Sequence, residues 1–222
     1  MSAQLMVDSL QPITREAIVW LRDHGRAPTA WARYLGGITA AEVALLAEFR
    51  ITLIAIARRS GLVSYGRETG KACGIVIVQR YQTLEKLCAE CDCQLSRYLF
   101  LDVEQAPDLN ALFWCGWAGQ VAAVACPAAY MPNRNNWPNS WASLEVANQT
   151  QACAGAWVAL YPRGETPERL LDPTEWQKRP LGPSAESGIP CLAWQAIGNA
   201  KDAPIWLDYS ETNPDFDWLA NP

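Results

Sequence analysis

The feature that most constrains this chain is a recurrence: a short apolar run, then a segment of helical periodicity, repeated along most of its length. The first run is "QLMVDS" (4–9), followed by "ITREAIVWLRDHG", which spaces Ile13, Ala17, Trp20 and Leu21 along one helical face and stops at Gly25. "TAWARYLGG" (29–37) is a second strand, and "TAAEVALLAEF" opens with a capping box, Thr39 with Glu42, ahead of Val43, Leu46 and Phe49. "ITLIAIA" (51–57) is apolar throughout, as strands buried on both faces are. One helix is expected from about Glu68 to Cys91, although "GIVIVQRY" (74–81) inside it has the β-branched content of a strand. "RYLFLDVEQAPD" (97–108) is the fourth strand, and "NALFWCGWAGQVAAVA" (110–125) a buried helix with small residues for close packing.

"CPAAYMP" (126–132) and "AWVALYPRG" (156–164) flank a helix over 139–155 closed by Gly155. After a Pro-rich connection (162–183) come "PCLAWQAIG" (190–198) and "PIWLDYSETN" (204–213), joined by a link too short for a full helix. Eight strands, mostly with helices between them, predict an α/β fold: a single compact (β/α)8 TIM-type barrel over residues 1–222. A doubly wound open sheet is the alternative, and as a nucleotide binder it needs a Gly-rich turn for which "YLGG" is the nearest match.

Barrel enzymes draw their catalytic groups from the C-terminal ends of several strands. Three expected strands carry acids there: Asp8, the pair Asp102 and Glu104, and Asp208. Side chains alternate along a strand, so Asp102 and Glu104 project to one side, where two desolvated like charges disfavour each other. A single Asp at a strand end also reads as an N-cap for the following helix, and for Asp8 and Asp208 that reading stands beside the functional one.

The net charge is −5 and no Lys/Arg cluster stands out, which argues against nucleic acid and an anionic membrane surface as partners. No stretch approaches the roughly 18 apolar residues of a membrane helix. "MSAQLMVDSLQP" lacks the basic start and apolar core of a secretory signal, so the expectation is synthesis in the cytoplasm and, for work at the cell wall, export by another route. Of eight cysteines, Cys73, Cys115, Cys126, Cys153 and Cys191 read as small buried apolar residues. Cys88, Cys91 and Cys93 in "CAECDC" have no second ligand pair nearby and His24 is the one histidine, so a disulfide or free thiols are expected there ahead of a metal, and no cofactor. His24 itself reads as a helix C-terminal cap.

"MVDS", "LFLDVE", the "WQ" of "LAWQAIG" and "IWLDYSE", in this order and spacing, resemble the glycoside hydrolase family 25 lysozymes, and more closely the bacterial glycoside hydrolase-like barrels classed as domain of unknown function 1906. The tail "SETNPDFDWLANP" departs from that pattern by running on with further acids. The resemblance implies hydrolysis of a β-linked N-acetylated glycan, with bacterial peptidoglycan as the expected substrate. Glu104 would be the general acid, Asp102 would orient the 2-acetamido group, and Asp8 and Asp208 would line the cleft. Raising an acid's pKa by burial and a neighbouring carboxylate suits that role. Trp137 in the "NRNNWPNS" loop is the leading sugar platform, with Tyr130, Trp157, Trp194 and Gln195 as further contacts, since flat rings suit the apolar face of a sugar. Core filling competes with that reading for each Trp. The second functional class is a barrel that binds cell-wall glycan without cutting it, or a module of a larger assembly; a cognate inhibitor or delivery partner is left open.

Overall fold

The computed structural model describes residues 4–58, 61–104, 107–159, 182–200, 203–213 and 217–219. Eight strands close into one barrel in sequence order. They are β1 (Leu5–Asp8), β2 (Ala30–Tyr34), β3 (Thr52–Arg58), β4 (Leu95–Asp102), β5 (Cys126–Pro132), β6 (Ala156–Ala159), β7 (Cys191–Ala200) and β8 (Leu207–Thr212). Closure removes the sheet edges, which rules out the open doubly wound alternative. Five α-helices stand between the strands of the described residues: α1 (Arg15–Asp23), α2 (Ala40–Phe49), α3 (Arg67–Glu90), α4 (Ala111–Val121) and α5 (Pro138–Asn148).

The barrel departs from a regular (β/α)8 at its seam. Neighbours from β1 to β7 pair in parallel, whereas β8 is antiparallel to both β7 and β1. The short β7–β8 link cannot carry the chain back along the barrel, so β8 returns in the opposite sense. The start of β8, and not its end, therefore lies at the same rim as the ends of the other strands.

Local signals explain the helix ends. Thr14 caps α1, and the capping box of α2 forms as expected, with Thr39 accepting from the Glu42 amide and Glu42 accepting from the Thr39 amide. His24 caps the C-terminus of α1 and stacks on Trp20 at 4.0 Å. α5 stops at Asn148, short of the expected 155, and Gly155 is required for another reason: a Cβ there would lie 2.3 Å from the Leu192 side chain. The expected continuation of β6 to 164 and most of the Pro-rich connection lie outside the described residues.

Alternation along the strands divides the apolar residues into two layers. Val7, Trp31, Leu53, Leu101 and Met131 face the helices, while Met6, Ile54, Phe100, Tyr130 and Trp157 fill the barrel. α3 and α4 pack at glycine: a Cβ on Gly70 would lie 2.2 Å from the Phe113 carbonyl oxygen, and one on Gly116 2.2 Å from that of Arg67. The base is closed by Trp218, whose ring meets Tyr98 and Phe100 edge-on and whose carbonyl accepts from the Arg97 amide and the Ser96 hydroxyl.

Candidate active site

The opposite rim gathers the acids. Asp8 ends β1 and stands directly across from Asp208 in the antiparallel β1–β8 ladder. Neither is a helix cap, since Thr14 caps α1 and Asp208 sits inside a strand. Directly opposed residues hold their Cβ atoms about 5 Å apart, so the two carboxyls repel if both ionise. Asp8 is only 6% exposed and its Oδ2 has no hydrogen-bond partner among the described residues. Burial, then Asp208, Glu104 and Asp102, push the Asp8 carboxyl well above the usual range, and Arg33 opposes them weakly. The Arg33 guanidinium is engaged elsewhere, donating to Glu42 at 3.0 Å and to the Ser9 carbonyl at 2.6 Å.

Asp102 is the last residue of β4 and faces inward with Tyr98 and Phe100. Its Oδ1 accepts the backbone N–H of Glu104 at 3.0 Å, an Asx turn that bends the chain at "DVE" and presents Glu104 at the rim, half-buried. Burial raises the Asp102 pKa. The Glu104 amide, a hydrogen bond from the Tyr34 hydroxyl and the charge of Arg58 hold it back. Tyr34 is a site residue that reading the chain missed. It closes β2 on the inner face, and burial among Asp102, Asp8 and Glu104 raises its own pKa far enough to keep it a phenol. Arg58, at the end of β3 in register with Asp102, places its guanidinium 5.8 Å from the Tyr34 ring centroid.

Glu104 Oε2 accepts from the Tyr130 hydroxyl at 3.0 Å, and the same hydroxyl meets Gln195 Oε1. Tyr130 has one proton for two acceptors, while Gln195 Nε2, fully buried, has no partner among the described residues. Turning the Gln195 amide by 180° resolves both: Gln195 donates to the Tyr130 oxygen, and Tyr130 donates to Glu104. Of the expected sugar contacts, Tyr130 and Gln195 thus join the acids. Trp157 lies inside the barrel, fully buried, its ring 4.4 Å from Tyr130 and its Nε1 donating to Ser210, so it forms the floor. Trp194 precedes the inward Gln195 and turns to the helix layer, buried to 4% exposure. Trp137 stands half-buried at the N-terminus of α5.

An aromatic that the sequence pattern did not single out lies beside two of the acids. Trp206 is 52% exposed and, with Asp8, Ser9, Leu10, Gln11 and Asp208, lines a cavity of about 290 Å³. The Gln11 side chain holds the Trp206 amide at 2.8 Å, fixing the β8 entrance beside the β1 exit. Among the described residues no cluster of three or more His, Cys, Asp or Glu is arranged to hold a metal ion, and no helix is long and apolar enough to cross a membrane.

No protein-family model and no curated protein matches this chain. Solved structures do. An uncharacterized protein of B. stearothermophilus aligns with 95% of this chain and 96% of its own at a TM-score of 0.71 and 17% identity. The likeness is one of fold. The Tat-secreted protein Rv2525c of Mycobacterium tuberculosis, solved in complex with HEPES, aligns with 96% of this chain and 97% of its own at a TM-score of 0.59 and 13% identity. The modular autolysin LytC of Streptococcus pneumoniae covers 95% of this chain at a TM-score of 0.53 and 13% identity, over 47% of its own length, and has also been solved with a synthetic peptidoglycan ligand.

Proposed function

We propose that this barrel hydrolyses a β-linked N-acetylated glycan, bacterial peptidoglycan being the substrate. The observation that carries the reading is the convergence of Asp8, Asp102, Glu104 and Asp208 at one rim, with Glu104 half-buried on a phenol. The fold it shares with an autolysin supports the same substrate class. In this reading Tyr130 occupies Glu104 Oε2, and the proton passed to the glycosidic oxygen is carried on Oε1. Asp102, steadied by the Glu104 amide and Tyr34, accepts the acetamido N–H and turns its carbonyl oxygen toward the anomeric carbon. Substrate assistance of this kind replaces a second carboxylate nucleophile. Burial holds the Asp8 carboxyl toward its neutral form, and Asp208 supplies the negative charge that stabilises the oxocarbenium-like state. Trp206 offers a flat face for a ring seated beside them. The substrate lies outside the cytoplasm, so the reading requires an export route.

Release of reducing ends from purified peptidoglycan by the wild type and by Glu104→Gln tests it. Release by the wild type alone, with both proteins folded, supports Glu104 as the acid. Co-sedimentation with the glycan without release by either protein makes the barrel a binder.

A further inference from the structure

The base of the barrel, away from the acids, carries a second chemically distinctive site. A groove of about 540 Å³ runs between the end of α3 and the start of β5, with Cys88, Cys93, Cys126, Tyr81, Glu85 and Arg97 among its walls. The end of α3 explains why two of these thiols meet. Asp92 adopts the left-handed conformation at φ 55°. The Cys93 amide bonds back to the Cys88 carbonyl at 2.9 Å, and the Asp92 amide to that of Ala89 at 3.4 Å. This is a Schellman motif, whose geometry brings the side chains three residues before the cap and two after it into contact. In most helices that contact is between two hydrophobic residues. Here both positions are cysteine, both are free thiols, and the Cys93 sulfur lies 3.7 Å from the Gln94 carbonyl oxygen.

We propose that Cys88 and Cys93 are a dithiol that closes reversibly to a disulfide on exchange with a low-molecular-weight disulfide such as oxidised glutathione. The backbone of the motif already holds the two residues together at the helix end, the proximity that a disulfide needs. Cys93, 8% exposed on the groove wall against 2% for Cys88, is the attacking sulfur. The neighbouring Cys88 thiol favours its thiolate, lowering its pKa. The Cys93 thiolate attacks one sulfur of the oxidant, forming a mixed disulfide and expelling one thiolate. Cys88 then loses its proton to solvent and attacks the Cys93 sulfur, expelling the second thiolate. Two protein thiols are oxidised, one small disulfide is reduced to two thiols, and the protein loses two hydrogens. The bond would staple the turn that feeds β4, the strand whose far end bears Asp102.

The competing pairing is Cys88 with Cys91, one helical turn apart. The test is to incubate the folded full-length chain with oxidised glutathione, block remaining thiols and cleave without reduction. Cutting after Glu90 and before Asp92 places Cys88, Cys91 and Cys93 on three separate fragments. The expected result is a Cys88-to-Cys93 linkage, reversed by dithiothreitol, and a glutathione adduct retained on Cys93 in Cys88→Ser. Linkage of Cys88 to Cys91, or no linkage in the folded wild type while the urea-unfolded chain forms one, overturns the proposal.

Discussion

Replacing Asp8 by Asn removes a titrating group from the rim with little change of shape, and the structure sets both the sign and the steepness of the effect on stability. Asp8 is buried, faces Asp208 in the ladder and has no donor on Oδ2 among the described residues, and the cation nearest in effect, Arg33, spends its donors on Glu42 and Ser9. Its native pKa is therefore raised well above that of an unfolded chain. Between the two values the native state holds a proton that the unfolded state has released, so wild-type stability falls as pH rises through that interval. One proton corresponds to a slope of about 1.4 kcal/mol per pH unit. Below the unfolded value of about 3.9, Asp8 is protonated in both states and adds no pH dependence. Above it, Asp8→Asn gains on the wild type at up to that slope. The gain stops growing where Asp8 ionises in the folded protein. Once Asp8 ionises, Asn can donate to Asp208 where a carboxylate cannot. Urea unfolding of both proteins at closely spaced pH values from 3 to 9 measures the difference directly. A difference independent of pH, or one that shrinks as pH rises, would refute the claim that Asp8 is held protonated by burial and by Asp208.

Trp206→Ala should weaken association with soluble N-acetylated oligosaccharides about tenfold or more while leaving the thermal midpoint near the wild-type value, because the ring is half exposed; equal affinity in titration calorimetry would remove it from the site. Gly116→Ala sets a methyl 2.2 Å from the Arg67 carbonyl oxygen and should destabilise by about 1–3 kcal/mol or more, read as a midpoint several degrees lower; an unchanged midpoint would mean that α3 and α4 can separate freely.

The strand and helix sequence was legible because each element announces its own period, and the Thr39–Glu42 box and the long α3 formed where the residues placed them. The direction of β8 was less legible. An apolar run buried in a closed barrel looks alike in either direction, and only the short link before it carried information. At the site, Asp102 and Glu104 stood out as like charges ending a buried strand. Asp8 and Asp208 fitted a helix cap as well as a cleft until the register set them face to face. The aromatics were hardest, because on strands apolar on both faces a ring gives no sign of which layer it joins. Parity from the small inward residues Ala30 and Ala32 would have selected Tyr34, and parity from Gln195 would have turned Trp194 outward. Trp206 escaped because it stands just before β8, on the segment that an ordinary parallel barrel would have placed at the base.

The reversed last strand also decides which way the polypeptide leaves the barrel. Gln4 pairs with Thr212 at the foot of the β1–β8 seam, and Trp218 plugs the same end. Both ends of the described chain thus emerge beneath the acids. A tag, tether or second module joined at either end would hang from that floor and leave the rim facing outward. Immobilised through its termini on a bead or a surface, the protein would present its carboxylates to a polymer too large to enter any enclosed cavity.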